Sequence, residues 1–226
     1  MIARRLDSLM RASADAHELL PTEMLEHYRV LVSRLAATTP PLRTLGLTSC
    51  AGGEGVSTVA AQLACAAASS GLGRVLLVDA NLARPSVHHL FALESWPGLA
   101  EVLLEAVPVG DLIQPTGVAN LAVLAAGRVG ERLSRLHAAL EETPLEALQE
   151  GFDLIVFDLP ATTAGPSTAR LAARLGGAML VIEAESTPSD SALREAELLA
   201  QAGVRLLGVV FNKQRQYVPS WLNRHL

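Results

Sequence analysis

Ser49-Cys50-Ala51-Gly52-Gly53-Glu54-Gly55-Val56-Ser57-Thr58 is the stretch of this chain best suited to chemistry. Three glycines and two hydroxyl residues stand between an apolar run, Leu45 to Thr48, and an Ala-rich stretch, Thr58 to Ala68. The first reads as a buried strand and the second as a helix. In such a strand–loop–helix unit, backbone N–H groups and the helix N-terminus converge on phosphate oxygens, and glycine lets the backbone come that close. The pattern G-x-x-x-x-G-K-[ST] also asks for a lysine just before the hydroxyl residue, to reach the β and γ phosphates. Here that position is Val56, and the first glycine of the pattern falls on Cys50. The cradle is present and its cation is not. Of the 18 basic residues, 17 are arginine, and the sole lysine is Lys213. No other lysine can stand in at the phosphates.

Two carboxylates extend the constellation. Val75-Leu76-Leu77-Val78-Asp79 and Asp153-Leu154-Ile155-Val156-Phe157-Asp158 are apolar runs that each end in aspartate. Magnesium takes an octahedral set of hard oxygens, usually one or two carboxylates with phosphates and waters. Ser57, Asp79 and Asp158 would supply the protein's share. A Rossmann dinucleotide site competes with this reading, since Gly53-x-Gly55 follows a strand and Asp79 lies 24 residues after Gly55. Its third glycine would have to be Thr58, however, and it leaves Asp158 without a role. His17, His27, His88, His89, His137 and His225 form no metal-ligand spacing, and neither H-E-x-x-H nor G-x-S-x-G occurs.

The elements that must position these residues alternate along the chain. Apolar runs predict strands over 42–48, 74–79, 120–124, 152–158, 178–183 and 205–211, with helices near 58–70, 98–106, 131–150, 165–175 and 189–202. Pro144 is expected to break the third of these helices in two. Short, continuously apolar strands separated by helices imply an α/β fold, a doubly wound, mostly parallel sheet with its ligands at the carboxyl ends of the strands. Upstream, residues 2–20 carry Ile2, Leu6, Leu9, Ala12, Ala16 and Leu19 at helical spacing, and Pro21-Thr22 opens a second helix running to about Ala37. The expected division is N-terminal docking or oligomerisation helices over 1–40 and one globular α/β domain over 41–226.

Bulk properties narrow the function further. Among 226 residues, half are hydrophobic, with much of that share in alanine, and mean hydropathy is +0.32. No run approaches the ~18 consecutive apolar residues of a membrane span, and the N-terminus lacks the apolar core of a signal peptide. A cytoplasmic protein is expected. Two cysteines, Cys50 and Cys65, are too few for a disulfide framework, and a net charge of −5 disfavours nonspecific binding to nucleic acid.

At the level of motifs, the chain from about Glu23 to Lys213 resembles the bacterial tyrosine kinases of capsule and exopolysaccharide export, P-loop NTPases related to division-site and plasmid-partition ATPases. The most specific stretch is Val75-Leu76-Leu77-Val78-Asp79-Ala80-Asn81-Leu82-Ala83-Arg84-Pro85-Ser86-Val87-His88, which is similar to the family's second Walker motif and its Arg-Pro-x-x-His extension. Gly98-Leu99-Ala100-Glu101-Val102-Leu103, Ile113-Gln114-Pro115-Thr116, Phe152 to Pro160 and Leu207-Gly208-Val209-Val210-Phe211-Asn212 are similar too. The resemblance implies a site for ATP or ADP with Mg²⁺, in which Asn212 contacts the adenine and Asp79 and Asp158 hold the metal. With the loop residues and the nearest arginine added, the expected nucleotide-binding set is Gly53, Glu54, Gly55, Val56, Ser57, Thr58, Arg84 and Asn212.

Departures from the family pattern cluster at the chemistry. Val56 replaces the phosphate lysine, Gly52 a usual proline, Asn81 the second aspartate of the second Walker motif, and Ala83 an arginine. The oligomerisation motif E-x-x-R-x-x-R reads Glu26, Arg29, Val32, and Tyr217 is the only tyrosine after Tyr28. Asp79 and Asn81 occupy the family's catalytic positions, and no residue is assigned as catalytic. The expectation is a kinase-like pseudoenzyme with weak nucleotide binding. It would regulate polysaccharide export at the inner membrane through a membrane-embedded co-polymerase that sets chain length, with homo-oligomerisation open and no nucleic-acid partner. Two alternatives stand beside it. One is an active autokinase of the same pathway, in which an arginine, Arg84 being nearest, takes the lysine's role. The other is a partition or positioning ATPase, although Ala51 stands where those proteins carry an additional lysine.

Overall fold

A computed structural model describes residues 22–142 and 145–214. The expected helix over 2–20 and Tyr217 lie outside the described residues. Seven strands form one sheet: β1 (Thr44–Ser49), β2 (Val75–Asp79), β3 (Gln114–Pro115), β4 (Leu121–Leu124), β5 (Leu154–Asp158), β6 (Gly177–Glu183) and β7 (Leu206–Asn212), in the order β3-β4-β2-β5-β1-β6-β7. All neighbours are parallel except β3 and β4. The helices are α1 (Thr22–Ala36), α2 (Val56–Ser69), α3 (Val87–Leu90), α4 (Leu99–Glu105), α5 (Leu133–Glu142), α6 (Glu146–Gln149), α7 (Pro166–Ala173) and α8 (Ser189–Gln201). The predicted 131–150 helix is therefore two helices, α5 and α6.

Both faces of the sheet are covered over β1, β2, β5 and β6, which explains their unbroken apolar runs, while the edge strand β7 leaves Val209 and Phe211 exposed. Leu76, Val78, Ile155 and Phe157 point into one core, together with Leu136, Leu140, Leu171 and Leu199. Val75, Leu77, Leu154 and Val156 point into the other, against α1 and α2. On β1 the alternation is uneven. Leu45 and Leu47 fill the second core, while a side chain on Gly46 would stand 2.8 Å from the Cδ1 atoms of both Leu159 and Leu175. Helix α2 is the central helix, with eleven of its fourteen residues buried. Its alanines let it lie close under the sheet while α1 packs alongside, where the buried Tyr28 donates its hydroxyl to Gln62 Oε1 at 2.7 Å.

Central placement of β1 and β5 fixes the working end of the molecule. The loop after β1, the carboxyl ends of β2 and β5, and the ends of β6 and β7 all lie along one edge of a parallel sheet. That edge is where doubly wound folds bind ligands.

Candidate nucleotide site

The phosphate loop is shaped by two glycines in the left-handed region, Gly53 at φ 92° and Gly55 at φ 89°. Gly55 caps α2 with no side-chain hydrogen bond, so the first N–H groups of that helix are left for a ligand. A side chain on Gly55 would collide with Asn212 Nδ2. Around the loop lies a cavity of about 660 Å³ whose wall includes Gly53, Gly55, Val56, Ser57, Thr58, Asn81 and Arg84. The segment after β5 forms the opposite wall, and its Thr162 and Thr163 hydroxyls donate to the carbonyls of Ser49 and Cys50 at 3.1 and 3.0 Å.

Asp79 and Asp158 stand behind this cavity, fully buried and paired in register at the ends of β2 and β5. Asp79 Oδ2 accepts from the N–H groups of Ser86 and Val87, both at 3.0 Å. Its Oδ1 and both oxygens of Asp158 have no hydrogen-bond partner among the described residues. Burial pushes Asp79 up to about 6, against the pull of the Val87 and Ser86 amides. Burial and the neighbouring Asp79 charge push Asp158 up to about 8, with the nearby Ser57 hydroxyl pulling it back in part. Orphaned, fully buried carboxylate oxygens are costly unless something compensates them. Two carboxylates beside a hydroxyl make a hard-oxygen set that fits Mg²⁺ bound together with phosphates and waters. Among the described residues there is no cluster of three or more His, Cys, Asp or Glu.

The other expected site residues occupy two different places. Val56 lines the cavity at only 8% exposure and packs its methyls into the core of α1 and α2. Glu54 is turned inward and buried. Its carboxylate accepts from Ala51 N at 2.7 Å, from Glu183 N at 3.3 Å and from the Thr187 hydroxyl. Asn212 sits behind the loop and donates to the Glu54 carbonyl at 2.9 Å.

Sequence reasoning passed over Lys213. Its ammonium donates to the Gly53 carbonyl at 2.7 Å and pairs with Glu183 Oε2 at 2.9 Å, so it grips the loop from outside the cavity. Being the chain's only lysine was the available signal, but nothing local tied it to a loop 160 positions away. In α1, Glu26 and Arg29 pair on the surface at 2.9 Å, and Val32 is buried against the core. Cys50 is a buried free thiol, pushed up to about 11 by burial and by the charge of Glu54. Among the described residues, no helix is long and apolar enough to cross a membrane.

Comparison with known proteins agrees with this geometry. Residues 42–224 match the ParA family model, described as NUBPL iron-transfer P-loop NTPase. Tyrosine-protein kinase YwqD of Bacillus subtilis (strain 168) is 32% identical over 194 residues, covering 84% of this chain and 81% of the relative. Among solved structures, the chimerical protein CapA2B2 superposes with a TM-score of 0.77 at 28% identity, covering 84% of this chain and 85% of the other. The kinase domain of Escherichia coli tyrosine kinase ETK also gives 0.77, at 26% identity over 87% of this chain and 79% of the other.

Proposed function

The chain belongs to the bacterial tyrosine-kinase family of P-loop NTPases, which bind nucleotide with Mg²⁺, and on that premise we propose that it is a catalytically impaired member that still holds nucleotide. Its role in this reading is regulatory. It docks on a membrane-embedded co-polymerase and adjusts the export or chain length of a capsular or exopolysaccharide, from the cytoplasmic side of the inner membrane. The likeness to the chimeric CapA2B2 supports a partner of that kind.

Val56 is the observation that carries the reading. A charge-assisted hydrogen bond contributes about 1.5–3 kcal/mol, so its loss weakens nucleotide binding roughly ten- to a hundredfold without abolishing it. Transfer suffers more, because positioning and charge stabilisation are nearly all that a phosphoryl-transfer site supplies. Removing one preorganised donor typically costs on the order of 10²–10³ in rate. Asn81, in place of a carboxylate at the cavity wall, adds to that loss. Tyr28 is no acceptor for transfer, since it is buried and its hydroxyl is already bonded to Gln62.

An active autokinase is the second reading, and one observation favours it: Arg84 lines the same cavity as Ser57 and Thr58. The two are separated by purifying the protein with the cytoplasmic segment of its partner and following tyrosine phosphorylation with Mg-ATP. The regulatory reading expects at most trace transfer. Robust labelling of Tyr217 or of the partner overturns it.

A further inference from the structure

The site needs a positive charge that helix α2 does not provide, and the cavity wall contains one. Among the described residues that line it, Arg84 alone is charged. Its guanidinium is exposed and has no hydrogen-bond or ion-pair partner among the described residues. It lies against the phosphate loop, with Nη1 3.7 Å from where a Cβ on Gly52 would sit.

Arg84 is also held in place. The chain from Asp79 to Val87 is a short loop closed at its base, where Asp79 Oδ2 accepts the Ser86 and Val87 amides at 3.0 Å each. A tight turn, Arg84 N to Asn81 O at 3.0 Å, sets the backbone from which the side chain leaves. Arg84 therefore projects from a loop anchored on one of the two buried carboxylates.

We propose that the phosphate-binding cation of this protein has moved from helix α2 to the Asp79–Val87 loop, with Arg84 as the group that meets the phosphates of a nucleoside di- or triphosphate. This rests on the nucleotide-holding reading above. Chemistry favours the exchange for binding. A guanidinium is always charged and presents a planar fork that matches phosphate oxygens bidentately. It arrives from the Asp79–Val87 loop, whereas the family's lysine stands at the start of the helix. Asp79 becomes a positioning residue for Arg84 in addition to its place in the metal set.

Calorimetric titration of the full chain with Mg-ADP tests the proposal. Arg84→Met, which keeps the length and removes the charge, should weaken binding at least tenfold, and Arg84→Lys should recover part of it. Adding Val56→Lys to Arg84→Met should restore binding, because it returns a cation to the same phosphates by the other route. Circular dichroism melts of Arg84→Met and Arg84→Lys should match the wild type, since Arg84 is exposed and unpartnered. Wild-type affinity in Arg84→Met overturns the proposal and leaves the nucleotide reading standing. A wild-type protein that takes up no Mg-ADP overturns both.

Discussion

Asp79 and Asp158 are register partners on adjacent parallel strands, β2 and β5, so their buried carboxylates stand level with each other at the end of the sheet. Like charges so placed cannot both ionise cheaply in a low dielectric. The pair titrates as a unit and holds a proton at neutral pH unless a cation replaces it.

A pH dependence follows from that proton. Both folded values, about 6 and about 8, lie above the ordinary 3.8. Between roughly pH 4 and 8 the folded protein therefore binds protons that the unfolded chain has released, and its stability falls as pH rises through that window. Urea midpoints at pH 5, 6, 7 and 8 without divalent cations should decline in that order. Asp158→Asn should flatten the slope. A midpoint that rises over this range contradicts the assignment.

Val56→Lys should strengthen Mg-ADP binding by up to about tenfold, the lower end of what one charge-assisted hydrogen bond contributes, because Arg84 already meets the same phosphates. Val56 both lines the cavity and packs into the core, so the longer side chain must turn toward the cavity, and a thermal melt of the variant accompanies the affinity. Calorimetry on the single variant measures it. Unchanged affinity would place the defect elsewhere in the pocket.

Glu54→Ala should destabilise the fold by about 1–3 kcal/mol, since the Ala51 and Glu183 amides lose their buried acceptor. Glu54→Gln should cost less, because its carbonyl still accepts. Urea unfolding of both variants gives the comparison, and equal stability of all three proteins would remove Glu54 from the loop's supports.

Gly55→Ala combines two penalties, a left-handed backbone at φ 89° and a collision with the Asn212 amide. The first alone costs on the order of 1 kcal/mol. Lower thermal stability should accompany weaker Mg-ADP binding, as the loop shifts away from Asn212. A variant that loses neither would show that the loop rearranges without cost.

Much of the fold was legible in the chain, for a physical reason. Strands covered on both faces must be apolar throughout, and β1, β2, β5 and β6 announce themselves as short unbroken runs. The two-residue β3 and the four-residue α3 escaped, because neither is long enough to show a period. Helix α2 begins at Val56, two residues before the expected start, because a left-handed glycine opens it where no side-chain cap marks the place. At the site, Asp79 and Asp158 could be found at the ends of apolar runs. The inward turn of Glu54 and the grip of Lys213 could not, since both depend on sheet order bringing the ends of β6 and β7 beside a loop well over a hundred positions away.

Lys213 has one more implication. It is the chain's only source of an ε-amine, half-exposed and hydrogen-bonded to the Gly53 carbonyl. Enzymatic lysine acylation thus has a single address in this protein, at the outer side of the phosphate loop. Acetylation there would neutralise the charge and break the pairing with Glu183. The rate at which that one amine reacts would then report how often the loop lets go.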